Sequence, residues 1–251
     1  MKSSILDQME IMMNKRYQMN FDTIPTKQAI SWSEAKEKAR KITLKPGWSV
    51  FYVRKEGFID HISIVPASKK SNLNLRETPL LHATAPPIGT GVGPLTNDLF
   101  DRSGTRVCPA FEFMEEYKDS QAYKKIFFGP PPTQNTGLIT KAGEIAEEIA
   151  ETGLIDGKPA VFSFGNIPII NRYYVAFFNA NNQKAKIKPI KKLHQAVIPL
   201  YCGGLVGTIY KKAGITEIPE AEFLRIKGPS SFSIFKWCLD KGTILPGLSW
   251  D

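Results

Sequence analysis

Side chains able to carry covalent chemistry are scarce in this sequence, and that narrows where such chemistry can reside. The 251 residues hold three cysteines and three histidines. The cysteines stand at 108, 202 and 238. They form an odd set with no metal-like pairing and no disulfide framework, as expected of a chain made in a reducing compartment. Cys202 is the one placed for reaction. It lies in Tyr201-Cys202-Gly203-Gly204-Leu205-Val206, followed by Ile209 and Tyr210 at helical spacing, then Lys211, Lys212 and a Gly214 stop. The pattern predicts a helix that begins at or beside the thiol. Unpaired N–H groups and the positive dipole end at a helix start favour the thiolate, which is the nucleophilic form. The plainer alternative is a small buried cysteine at a strand-to-helix junction. Cys108, in an apolar strand, and Cys238, in a mostly apolar helix with Phe232, Ile234, Phe235 and Trp237, read as packing.

Cysteine catalysis also needs an imidazole to relay the proton and a third polar group to fix that imidazole's orientation. The histidines are His61, His82 and His194. After Lys45-Pro46-Gly47 the apolar period becomes two. Trp48 to Arg54 reads as a strand, Lys55-Glu56-Gly57 as a turn, and Phe58 to Val65 as the antiparallel partner that carries His61. Pro79 to Thr84 reads as a third short strand, with His82 on it. One buried strand histidine is ordinarily structural. Two on adjacent strands, in a chain with a cysteine at a helix start, point to a pair that serves the thiol.

The remaining elements must hold these groups. Ile5 through Met13, with Met9, Met12 and Met13 on its apolar side, and a segment from Ser31 or Ser33 to Arg40 read as helices capping the core. The glycines between Pro86 and Pro94 form a loop; with no Lys-Ser/Thr after them and no helix opening from them, a phosphate cradle is not expected. Val107 to Phe113 reads as a strand and Glu115 to about Ile126 as a helix, with Gly129-Pro130-Pro131-Pro132 the best boundary between two halves. Leu138 to Ala150 is a helix stopped at Gly153; Ala160 to Phe164 and Arg172 to Phe178 are strands; and a last helix starts after Pro229-Ser230-Ser231. The aromatics of 172–178 read as core rather than as a base-stacking platform, so nucleic acid is not the expected partner. The net charge is +9. Its densest run, Lys184 to Lys192, is a solvated face or a contact with an anionic polymer or membrane surface.

Several of these segments together resemble a known family. Leu200-Tyr201-Cys202-Gly203-Gly204-Leu205-Val206 with Tyr210-Lys211-Lys212-Ala213-Gly214-Ile215 resembles the nucleophile helix of the NlpC-type papain-like cysteine peptidases and amidases. Asp60-His61-Ile62-Ser63-Ile64-Val65 resembles the strand of the catalytic histidine, Leu81-His82-Ala83-Thr84 the strand of the third polar residue, and Lys45 to Tyr52 the strand before them. The histidines precede the cysteine, as in the circularly permuted branch that includes lipid acyltransferases of the lecithin–retinol type. Two departures fall near the substrate pocket: Trp48 replaces the usual acidic residue, and Gly203 the usual serine. Residues 94–198 match nothing in the family.

The resemblance implies an α+β, papain-like fold in permuted order, with an antiparallel sheet packed against the nucleophile helix and helical additions. Residues 1–44 would be a helical cap and 45–251 the catalytic domain, with an unmatched insertion around 114–195. Cys202 would be the nucleophile, His61 the base and acid, and His82 the orienting residue, with Tyr201, Gly203 and Trp48 beside the substrate and no metal or cofactor. The expected activity is amide hydrolysis through a thioester, with peptidoglycan stem peptides as substrate class. The alternatives are a lipid thioesterase or acyltransferase, and a basic binding module without catalysis. The N-terminus lacks the apolar run of a signal peptide and no stretch approaches a membrane span. The expectation is therefore synthesis in the cytoplasm, with export, where it occurs, through a specialised apparatus. An exported antibacterial effector would also imply an immunity or inhibitor protein as partner.

Overall fold

A computed structural model of the chain describes residues 29–55, 57, 59–67, 73–84, 104–116, 123–162, 174–175, 188–189, 198–219, 222–223 and 226–251. The expectations for the helix around Ile5–Met13, the Pro86–Pro94 loop and His194 lie outside these residues, as does most of the Lys184–Lys192 run. In chain order the elements are α1 (Trp32–Ala39), β1 (Ser49–Arg54), β2 (Ile59–Ile64), β3 (Pro79–Thr84), β4 (Gly104–Pro109), α2 (Ala110–Glu116), β5 (Tyr123–Gly129) and α3 (Thr136–Thr152). There follow β6 (Leu154–Ile155), β7 (Lys158–Phe162), β8 (Tyr174–Val175), β9 (Lys188–Pro189), β10 (Ile198–Leu200), α4 (Cys202–Ala213), β11 (Glu222–Phe223), β12 (Ile226–Lys227), α5 (Ser231–Asp240) and β13 (Leu245–Ser249).

Six strands form an antiparallel sheet in the order β13-β5-β1-β2-β3-β4, so the protein is α+β. β1 lies inside this sheet between β2 and β5, which is why Ser49 to Val53 are all buried. A strand with both faces covered becomes a continuous apolar run rather than an alternating one. Its side chains still alternate in direction. Phe51 and Val53 join Ile62, Ile64, Leu81, Ala83 and Phe127 in one core, while Val50 and Tyr52 join Leu80, Cys108, Ile126 and Phe128 in another. The first face is covered by α3, α4 and α5, and the second by α1, α2 and Trp250.

The helix ends follow from their caps. Ser31 accepts from the N–H of Glu34 at the start of α1, Asn135 from Gly137 at α3, and Ser230 from Ser233 at α5. Gly153 and Gly214 close α3 and α4 in the left-handed conformation. β6 and β7 form a hairpin whose two turn residues, Asp156 and Gly157, both have positive φ. β10 pairs with β7 in parallel and runs directly into Tyr201 and α4. This small sheet therefore sets where α4 begins.

Three expectations are corrected. The strand expected at 107–113 ends at Pro109 and becomes α2; the helix expected over 115–126 is instead α2 as far as Glu116 and then β5. β5 lies between β1 and β13, so Phe127 must fill one core while Ile126 and Phe128 fill the other. A strand places neighbours on opposite faces in this way; a helix does not. The Pro130–Pro132 segment divides nothing, because β5 before it and α3 after it both belong to the central sheet and its cover. Tyr123–Gly129 thus supplies an interior strand of the sheet.

Gly47 joins the two layers. At φ +78°, it brings its backbone so close to α3 that a β-carbon would sit 2.0 Å from the carbonyl oxygen of Ile139. The Tyr210 hydroxyl donates to the Gly47 carbonyl at 3.1 Å, so it is Ser49 that donates to Tyr210 at 2.7 Å. Gly47→Ala meets both backbone strain and this collision, and is expected to destabilise the fold by about 3 kcal/mol. Urea unfolding checks this: the midpoint should fall while the slope stays unchanged.

Candidate active site

Cys202 is the first residue of α4, as the spacing predicts, with Tyr201 as its N-cap in extended conformation and without a side-chain capping bond. The thiol is partly buried, and its sulfur lies 3.1 Å from the hydroxyl oxygen of Ser231 at the first position of α5. Two helix starts therefore converge on one sulfur. Gly203 and Gly207, one turn apart on α4, allow this approach. A β-carbon on Gly203 would lie 2.5 Å from the Pro229 carbonyl oxygen and 2.6 Å from the Ser231 nitrogen, and one on Gly207 would lie 2.2 Å from the Pro229 ring. The glycine standing where the resembling family has serine is thus a packing requirement of this chain.

His61 and His82 meet, as adjacent strands allow. Nε2 of His61 lies 2.9 Å from Nδ1 of His82, and Nε2 of His82 lies 3.1 Å from the carbonyl oxygen of Cys108. A carbonyl only accepts, so the proton of neutral His82 is on Nε2 and its Nδ1 accepts. His61 must then donate from Nε2, which leaves its own Nδ1 as the lone-pair nitrogen. The relay has a fixed direction, and its basic end is on His61.

The surroundings disfavour a charge on His61. Phe113 of α2 stacks on both rings, at 4.3 Å from His61 and 4.6 Å from His82 between centroids, and Tyr52 lies 5.1 Å from His61. Burial, with a smaller contribution from His82, holds His61 well below its ordinary 6.5. Tyr52, bonded to Ser63 at 3.0 Å, is pushed well above the usual phenol range, mainly by burial.

The structure assembles two of the three expected groups and places the third elsewhere. His61 pairs with Tyr52 across β1 and β2, so its ring points into the core beneath Phe113. Cys202 packs against the opposite core, with Ile62 and Ile64. The expected bond between the thiol and His61 is not made, because strand alternation puts the sheet between them. Trp48 is corrected in the same way: it packs against the second core, under the Lys45 ammonium at 5.9 Å, on the far side from Cys202. Tyr201 and Gly203 are buried beside the thiol. Ser231, Phe113 and the Cys108 carbonyl were not legible as site groups. Ser231 shows in the sequence only as part of a helix start, and neither a stacking ring nor a backbone acceptor has a spacing signature. Among the described residues no cluster of three or more His, Cys, Asp or Glu is placed to hold a metal ion, and no helix is long and apolar enough to cross a membrane.

The depressed His61 gives a signed expectation. Above its unfolded value of 6.5 the imidazole is neutral in both states, and its contribution to stability is complete. As pH falls below that value the unfolded chain takes up a proton that the folded chain refuses, and stability drops by about 1.4 kcal/mol per pH unit until the folded value is reached. Urea unfolding of the wild type and His61→Gln between pH 7.5 and 5 should show the steeper loss in the wild type.

No family model matches the chain, and neither a curated protein nor a solved structure does, so what this site does is argued from its residues and geometry.

Proposed function

We propose that this protein is a cysteine hydrolase of amide bonds, built on a permuted papain-like scaffold, with Cys202 as nucleophile and bacterial cell-wall peptides as substrate class. The observation that carries the proposal is how differently the three thiols are placed. Cys108 and Cys238 are buried in opposite cores, and burial pushes Cys238 up to about 12. Cys202 alone is partly exposed and at a helix start, with the Ser231 hydroxyl beside its sulfur.

The reaction follows from that placement. The Cys202 thiolate attacks the amide carbon, with the N–H groups at the start of α4 stabilising the oxyanion. The C–N bond breaks, the leaving nitrogen takes a proton, and water cleaves the thioester to a carboxylic acid and free thiol. In the mechanism that the resemblance implies, His61, oriented by His82, takes the thiol proton as the thiolate forms, gives it to the leaving nitrogen, and then takes one from the attacking water. It serves the thiol only from the face of β2 that α4 covers. β2 has an irregularity at this point: Tyr52 pairs with His61 and Val53 with Ile59, so Asp60 is the unpaired extra residue of a bulge. Bulges re-aim side chains and are common beside active sites.

The separation of Cys202 from His61 favours a second reading, a basic binding module in which the histidine pair only braces the sheet. Incubation with purified peptidoglycan separates the two. The hydrolase should release new amino groups and stem-peptide fragments; Cys202→Ala should release none, and His61→Gln should be slower by a hundredfold or more. A wild-type chain that releases nothing, or a Cys202→Ala variant as active as wild type, leaves the binding module.

A further inference from the structure

We infer that Ser231 is a positioning residue for Cys202, its hydroxyl donating to the sulfur and holding it as a thiolate at the seam between α4 and α5. The inference rests on the proposed nucleophilic role of Cys202 and adds to it the group that readies the thiol, a part left open once His61 is found on the other face.

Three observations converge. The sulfur and the Ser231 oxygen are 3.1 Å apart, and Ser231 is 5% exposed, so bulk water does not compete well for that hydroxyl. The segment before it is clamped to α4 by the Gly203 and Gly207 contacts, which leave no room for a single added carbon. Ser231 is also not the cap of its own helix. Ser230 does that work, accepting from the N–H of Ser233, so the Ser231 hydroxyl is available to the sulfur. A thiol held this way has two discrete states: protonated, with either group as donor, or ionised, with the serine O–H pointing at the sulfur. Only the second adds a charge-assisted bond. The pair therefore favours ionisation without an imidazole.

The test reads the thiol itself. Alkylation by iodoacetamide is followed at Cys202, Cys108 and Cys238 separately by peptide mass spectrometry, as a function of pH, in the wild type, Ser231→Ala and Ser231→Thr. Loss of one hydrogen bond to a charged group should slow Cys202 alkylation at pH 7 about tenfold and move the midpoint of its pH profile upward by about one unit. Ser231→Thr keeps the hydroxyl and should restore the wild-type profile, which a merely structural role does not require. Unchanged thermal melting of Ser231→Ala confirms that the cap at Ser230 still holds α5. Coincident profiles for wild type and Ser231→Ala overturn the inference, as does a Ser231→Thr profile matching alanine while its melt matches wild type. A chain whose alkylation depends on Ser231 but which releases nothing from peptidoglycan overturns the proposed substrate and leaves the positioning role standing.

Discussion

The whole arrangement depends on burying one antiparallel sheet on both faces. Each strand must then supply two cores at once, and its alternating side chains assign every residue to one of them. β1 shows this most plainly, sending Phe51 and Val53 to the side of α3, α4 and α5 and Val50 and Tyr52 to the side of α1 and α2. Each fully buried aromatic or branched side chain contributes about 2 kcal/mol, so a strand that slipped by one residue would exchange the contents of two cores. The register is therefore strongly held, and the places of the polar groups within it follow.

The two kinds of chemistry are thereby set in different media. The histidine pair lies under Phe113 and beside Tyr52, where burial disfavours charge and every proton position is imposed by the terminal acceptor, the Cys108 carbonyl. Paired polar groups survive in such a core because each has its partner; removing one would leave the next unsatisfied. The thiol lies instead where two helix starts meet, in a medium of backbone N–H groups and a hydroxyl that favours negative charge. One setting disfavours a charge on His61; the other places Cys202 at a helix start beside a hydroxyl.

The sequence was legible where a single period or a single residue decides the structure. Alternation from Trp48 to Val65 gave β1, β2 and the partnership of His61 with the neighbouring strand; Gly214, Gly153 and the serines at 31 and 230 gave helix ends. It was not legible where the decision lies with distant chain. Tyr123 to Gly129 is a strand because β1 and β13 flank it, and neither is near it in sequence. His61 faces away from Ile62 and Ile64 by simple alternation, but that α4 covers the isoleucine face is decided by distant chain. Ser231 meets Cys202 because Gly203 and Gly207 admit Pro229, a contact between segments more than twenty residues apart. The family resemblance places the cysteine on a helix and the histidines on strands, but it has no means of saying which face a strand turns toward that helix.

What connects the two faces is β2. It carries His61 on one side, and on the other it lies beneath α4 and α5 through Ile62 and Ile64. Its bond to the next strand is short: β2 pairs with β3 at Ile64 opposite Leu81, whereas β3 and β4 pair at every position from Pro79–Pro109 to Thr84–Gly104. Near His61 the backbone ladder is thus thin on one side and bulged on the other, and the imidazole–imidazole bond at 2.9 Å spans the gap between β2 and β3. This side-chain bond ties β2 to β3 beside their short backbone pairing. The strand that holds His61 away from the thiol is therefore also the one that the imidazole pair fastens to its neighbour.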